Sequence, residues 1–288
     1  MIVITIFNFV KRKQWRYFLR KITQKCGDLN DTRRENSNLI FNVIVWHFIF
    51  AFAKGLKVYY DFQEFKLHGL ARLLQEYYCF LSALIASCLA HCIRKKYEDL
   101  GKLLREYIIT PANDIIMSTR IINVGKKFRC ISELVECYND MFGWLIILTL
   151  LKVIVGILKW ANLLIVCMGH EQVSLVMIVP LLCYTFLGFA GSMLIILSCD
   201  AASSAGGNIQ RDCYELQERL HIDSRSREEL FKLSKIVKSY YPRFTAANLF
   251  VIRRSTILRI INIVTAYIIV MIQLREKYDK PDKSKIYT

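Results

Sequence analysis

The chain has 288 residues, of which 54% are apolar, with only 12 Gly and 4 Pro, and its mean hydropathy is +0.30. A soluble domain runs at roughly 45–50% apolar even with Gly counted; here the apolar residues form long, nearly uncharged blocks, which makes an all-α polytopic membrane protein and excludes a disordered chain, a coiled coil, a disulfide scaffold and an outer-membrane barrel. The net charge of +16 comes from 40 basic and 24 acidic residues, and because the basic ones lie between the apolar blocks, positive-inside topology explains them without a nucleic-acid partner.

Residues 1–10 (MIVITIFNFV) are apolar and are followed at once by Lys11, Arg12 and Lys13. A signal peptide carries its charge before the apolar stretch and a small-residue cleavage site after it. This order is reversed, and ten residues are too few to span, since a spanning helix needs about 20. The segment is expected to be the remnant of an upstream membrane helix, with residues 11–38 a basic cytoplasmic segment. Five blocks follow that could span: residues 39–60 (interrupted near its end by Lys54 and Lys57), 77–93, 141–168, 172–199 and 255–274. The region 39–274 is thus a helical transmembrane bundle, and 275–288 is a tail.

Charge sets the orientation. Segments 10–38, 94–140 and 200–245 hold 26 basic residues, against 9 in segments 54–76, 169–171 and 275–288. The richer set belongs in the cytoplasm. The N-terminus is therefore inside and the C-terminus outside, which makes 275–288 extracellular.

The long cytoplasmic segments have helical periodicity. Leu100, Leu103, Leu104 and Tyr107 share one helix face, as do Leu134, Val135 and Tyr138. Leu216, Leu220, Leu230, Leu233, Ile236 and Val237 do the same across 214–241. Each predicts an amphipathic helix prolonging a neighbouring span, so the spans rest on a cytoplasmic helical anchor layer. Breaks are expected at Thr110-Pro111, Gly206-Gly207 and Tyr241-Pro242.

Enzyme motifs are absent: no GxSxG, P-loop or HExxH occurs. The ten cysteines include no CxxC pair and no metal-ligand spacing, so no metal or cofactor is expected. His47 lies within the first block, where an ionisable side chain is either functional or a hydrogen-bonded core residue. Lys152 and Lys159 raise the same question in the third block. Lys159, beside Trp160 near the outer end, can snorkel; Lys152 is deeper and needs a partner, a cavity or the bundle interior.

The last block is the most informative. Arg259, Asn262, Ala266, Ile269 or Val270, and Gln273 are spaced three or four apart and share one stripe. Polar and small residues inside a span form either a helix–helix seam or, with several copies around an axis, a pore lining in which Gln273 makes a ring of amides.

The stretch from Phe244 to Phe250, followed by Ala266-Tyr267, the five hydrophobics to Ile272, then Gln273-Leu274, resembles the C-terminal signature of insect gustatory receptors. That signature is Thr-Tyr, five hydrophobic residues and Gln-Phe near the end of the last helix. Tyr267 and Gln273 match; Ala266 stands for the Thr, with Thr265 one place earlier, and Leu274 for the Phe. The resemblance extends from Lys11 onward. It implies a seven-helix subunit, of which the five blocks here are the third to seventh helices, so the chain is expected to lack about two helices. It further implies a homo- or hetero-tetrameric, ligand-gated cation channel of sensory neurons, in the plasma membrane and in contact with its lipid. The last helix would line the pore, with the gate at Gln273 and Leu274 and the lining at Asn262, Ala266, Ile269 and Val270. An outward-facing pocket would bind small-molecule tastants. Aromatic walls with few polar groups suit such ligands, and the aromatics near the outer halves of the spans are Phe50, Tyr78, Trp160, Tyr184 and Phe186, with His47 and Gln172 as polar options. Each can equally be an interface or core aromatic. The alternatives are a transporter using Lys152 and His47, or a non-conducting structural or truncated receptor subunit. A G-protein-coupled receptor would need the opposite topology.

Overall fold

The computed structural model describes residues 67–110, 113–167, 175–220 and 224–279, with isolated residues at 15–18, 20, 45 and 48. Side chains are described within 77–110, 113–163, 188–220 and 224–274, at Phe186, and at the isolated residues. The first apolar block, with His47 and Phe50, lies outside the described residues, as do residues 1–10 and Gln172.

Five helices and one small hairpin make up the described fold. They are α1 (Leu67–Ile109), α2 (Asp114–Cys167), α3 (Leu175–Arg219), α4 (Arg225–Ser239), β1 (Thr245–Ala246), β2 (Phe250–Val251) and α5 (Arg254–Asp279). Four of these helices are long and apolar enough to cross a membrane. The first three have 43, 54 and 45 residues, which at 1.5 Å per residue is about 65–80 Å. A hydrocarbon core is only about 30 Å thick. Each helix must therefore continue well beyond the bilayer, and in each the continuation is the amphipathic segment that the sequence marks. Within the described residues, the apolar stretches 77–93, 141–167, 175–199 and 255–274 fall inside α1, α2, α3 and α5.

Packing follows the periodicity. Leu100 and Leu104 of α1, Leu134, Val135 and Tyr138 of α2, Leu216 of α3, and Leu230, Leu233 and Val237 of α4 are all buried in one continuous core. Where α1 stops, at Ile109, Pro111 follows two residues on; proline has no N–H to continue the ladder and disfavours helix at Thr110. Helix α4 is capped twice. Ser224 accepts from the Arg227 N–H at 3.3 Å. The Asp114 carboxylate of α2 accepts the Arg225 and Ser226 N–H groups at 2.9 and 3.1 Å and the Ser226 hydroxyl. That hydroxyl contact, with the backbone bonds and Arg225 behind it, holds the Asp114 carboxyl below its ordinary range.

Two expectations fail here. The periodic stretch 214–241 is two helices, α3 ending at Arg219 and α4 starting at Arg225. The Gly206-Gly207 pair is no break, for it lies inside α3. Its purpose is close approach. A β-carbon built on Gly206 would meet the Pro242 ring, with Cδ at 3.1 Å, and one on Gly207 would stand 3.1 Å from the Tyr241 hydroxyl. The pair makes a saddle on which the chain leaving α4 sits.

Past that saddle the chain forms the hairpin. Thr245 pairs with Val251 and Ala246 with Phe250, antiparallel. The turn closes through Leu249 N–H to Ala246 carbonyl at 2.9 Å, with Ala247 and Asn248 both left-handed at φ 46° and 60°. Asn tolerates that region; Ala is strained in it. Packing holds the strain in place, because the Ala247 backbone lies directly on Gly143 of α2.

Candidate functional site

Helix α5 carries the sequence's most informative stripe, and its burial differs from that of the other spans. Only 6% of its apolar stretch is buried inside the bundle, against 33% to 39% for the other three. Where it touches the bundle it meets α2 and α3 through Thr256, Ile257, Ile260 and Val264, with Ile268 and Met271 half-buried above them. At about 100° per residue these fall within an arc of about 120° centred on Val264. Asn262, Ala266, Ile269, Val270 and Gln273 are all exposed and centre about 180° away. The five residues thus point away from the bundle and share one open face of the helix. Leu274 and Tyr267, about half exposed, share a flank about 100° from Gln273.

The residues proposed for a ligand pocket are less coherent. Trp160 is buried on α2, Tyr78 is half-buried on α1, and Phe186 of α3 is 68% exposed. Tyr184 belongs to α3. Lys159 is exposed, while Lys152 is half-buried and partnered. Among the described residues, no group of His, Cys, Asp and Glu could hold a metal ion.

Polar ties at the base of α5 escaped the sequence reading. Arg254, the first residue of α5, pairs with Asp200 of α3 at 2.9 Å, and its own N–H points to the same carboxylate at 3.4 Å. Asn139 of α2 clasps the hairpin from both sides, donating to the Arg243 carbonyl at 2.8 Å and accepting the Thr245 N–H at 2.9 Å. Ser132 of α2 donates to the Tyr240 carbonyl at 3.0 Å, so the Tyr97 hydroxyl, 3.2 Å away, donates to Ser132. Every segment that reaches the base of α5 is held by a named bond. The one available signal was the run of polar residues at block ends (Asn139-Asp140, Asp200 and Arg253-Arg254), which marks one level in three segments.

With Asp200 19% and Arg254 71% exposed, their bond is partly screened. A double-mutant cycle on Asp200→Asn and Arg254→Gln, read from thermal unfolding of the purified protein, is expected to give a coupling of about 0.5–1 kcal/mol. Strict additivity would show that the pair contributes nothing.

A family model described as 7tm Chemosensory receptor matches residues 1–278. The chain belongs to that family. This chemosensory receptor is a membrane protein whose match runs through every helix described above, α5 included. No curated protein matches it. Chemosensory receptors are not an enzyme family, and the family's role assigns this receptor small-molecule ligands.

Proposed function

We propose that the receptor is a gustatory, ligand-gated cation-channel subunit that assembles as a homo- or hetero-tetramer around α5. In this reading it sits in the plasma membrane of a sensory neuron and detects small tastant molecules. The observation that carries the proposal is the geometry of α5. A helix that gives its bundle one narrow stripe and turns an open face of Asn262, Ala266, Ile269, Val270 and Gln273 outward has the shape of a shared pore wall. A lipid-facing helix would not place Asn262 and Gln273 at the centre of its exposed side, since amides in hydrocarbon lack partners.

In this reading, which the charge count supports, the polar ends of α1, α2 and α3, with α4 and the hairpin, lie in the cytoplasm. Gln273 is then near the outer mouth. With Gln273 and Leu274 about 100° apart around the helix, rotation of α5 exchanges an amide for an apolar side chain at the axis. An apolar ring closes a narrow pore by dewetting. A tastant opens it only as far as it binds the open form better; moving the ratio from 1:99 to 99:1 takes about 5.5 kcal/mol of differential affinity.

Whole-cell recording from transfected cells, with the chain alone and with related receptors, tests this against a mixed tastant panel. Ligand-evoked cation current is expected, and Gln273→Ala should change its amplitude or midpoint several-fold while surface delivery stays unchanged. Surface-delivered receptor that never conducts in any combination would sink the channel reading and favour a transporter or a non-conducting subunit.

A further inference from the structure

The hairpin that leads into α5 sets two arginines against each other. Thr245 pairs with Val251, and the Ile252 N–H donates to the Phe244 carbonyl at 2.8 Å. Arg243 and Arg253 are the next residues outward on the two sides of that pair, just beyond the strands. Both side chains are exposed, at the open end of the hairpin. Like charges so placed destabilise the pairing. Neither arginine forms an ion pair among the described residues. Asp200 is committed to Arg254, and Asp140, next to Asn139, has a partner of its own.

The surroundings of the pair supply a direction. The Arg243 carbonyl is bound to Asn139, two residues before the apolar block of α2 opens at Met141. The hairpin tip lies against Gly143, four residues further along the same helix. Four residues are about 6 Å, so the tip is one turn deeper than the arginines. That tip presents Leu249, 69% exposed. An apolar side chain at the level where the block begins, with two cations a turn behind it, has the layout of an interfacial anchor: the leucine reaches acyl chains while the guanidinium groups stay among headgroups.

We propose that Arg243 and Arg253 form a binding site for the phosphate of an anionic phospholipid in the cytoplasmic leaflet, with Leu249 as its apolar foot. This rests on the cytoplasmic placement of the hairpin in the function proposed above. Guanidinium forks match phosphate oxygens in two-point geometry, and one phosphate between the two arginines cancels the repulsion that the fold leaves uncompensated. Because Arg253 directly precedes Arg254, the bound lipid is attached at the base of α5, between Asn139 of α2 and Asp200 of α3.

The test needs no current. Purified full-length receptor in detergent micelles is titrated with phosphatidylserine and, separately, with phosphatidylcholine, and bound lipid is counted by native mass spectrometry. Preference for phosphatidylserine is expected, weakened about twenty-five-fold by the double substitution Arg243→Gln with Arg253→Gln, at roughly five-fold per arginine near the headgroup layer. Lys126→Gln with Lys127→Gln removes the same charge from exposed positions of α2, about 22 Å from Met141 along the helix. That is beyond a Debye length of about 8 Å, so this control should leave binding within two-fold. Unfolding temperatures of the arginine variants should equal or exceed that of the parent, because a like-charge pair is relieved. Undiminished phosphatidylserine binding by the arginine variant overturns the proposal, and so does equal weakening by the lysine control. Displacement of the lipid by equimolar inorganic phosphate also overturns it, by showing a free-anion site. A receptor that keeps the lipid preference and never conducts refutes the channel reading alone; one that conducts and ignores the arginines refutes this one alone.

Discussion

Gly143→Ala is expected to destabilise the receptor by about 1–3 kcal/mol, and Gly143→Val by more. A β-carbon on Gly143 would overlap the Ala247 amide and lie 2.9 Å from the Ala247 Cα. Both partners are backbone, so no rotamer change relieves the clash. Either α2 bends or the hairpin lifts. Lifting breaks the two Asn139 bonds to Arg243 and Thr245 and releases the strained φ of Ala247. The contrast is Gly188→Ala, also inside a long helix, whose added carbon would meet only Val153 at an ordinary 3.8 Å. In a helix interior Ala is favoured over Gly by roughly 0.5–1 kcal/mol, so Gly188→Ala should be neutral to stabilising. Thermal unfolding of the two purified variants decides it. A shift of 1 kcal/mol moves the midpoint by about 2–4 °C at 150–250 residues, so Gly143→Ala should fall by several degrees while Gly188→Ala holds. Equal midpoints would show that the hairpin rests on Gly143 without depending on it.

The contrast between these glycines also shows which parts of the structure were legible in the sequence. Both stand in apolar blocks with nothing local to separate them, and only the three-dimensional neighbour distinguishes them. The spans were legible because a run of about 20 apolar residues has few other fates. The anchor helices were legible because Leu230, Leu233 and Val237 repeat at helical spacing and are buried on one face of α4. The stripe on α5 was legible for the same reason, and its direction was not, since that depends on which face meets α2 and α3. Gly206-Gly207 misled because two glycines weaken a helix by propensity, whereas here the surrounding packing fixes the helix and uses the missing side chains to admit Tyr241 and Pro242. The hairpin was illegible because strands of two residues carry no alternation. The Asp200–Arg254 tie joins residues 54 apart in sequence, beyond any local pattern. Local periodicity thus gave the helices, and the long-range bonds that fasten α5 came only with the fold.

Tyr138 is where those fastenings meet the core, and its removal should be the most damaging single change outside the helix backbones. The side chain is fully buried. Its ring lies 4.9 Å from that of Phe142 and 5.1 Å, edge to face, from that of Phe244 at the entry to the hairpin. The hydroxyl donates to the Ala86 carbonyl of α1 at 3.2 Å and so accepts the Cys199 thiol of α3 at 3.5 Å. One residue of α2 therefore touches α1, α3 and the segment leading to α5. Truncation to Ala removes a whole aromatic ring from a closed site, which costs about 3–5 kcal/mol. Against a total stability of about 5–15 kcal/mol, that is enough to leave much of the protein unfolded at working temperature. Tyr138→Phe keeps the ring and loses only the hydroxyl bonds, at about 0.5–1.5 kcal/mol. The Ala86 carbonyl still has its own helical partner in α1, which limits the loss. Yield of folded protein and unfolding midpoints should therefore rank the parent slightly above Tyr138→Phe and both far above Tyr138→Ala. A Phe variant as impaired as the Ala variant would mean that the hydroxyl, through Ala86 and Cys199, holds these helices together, and that the aromatic packing against Phe142 and Phe244 is secondary.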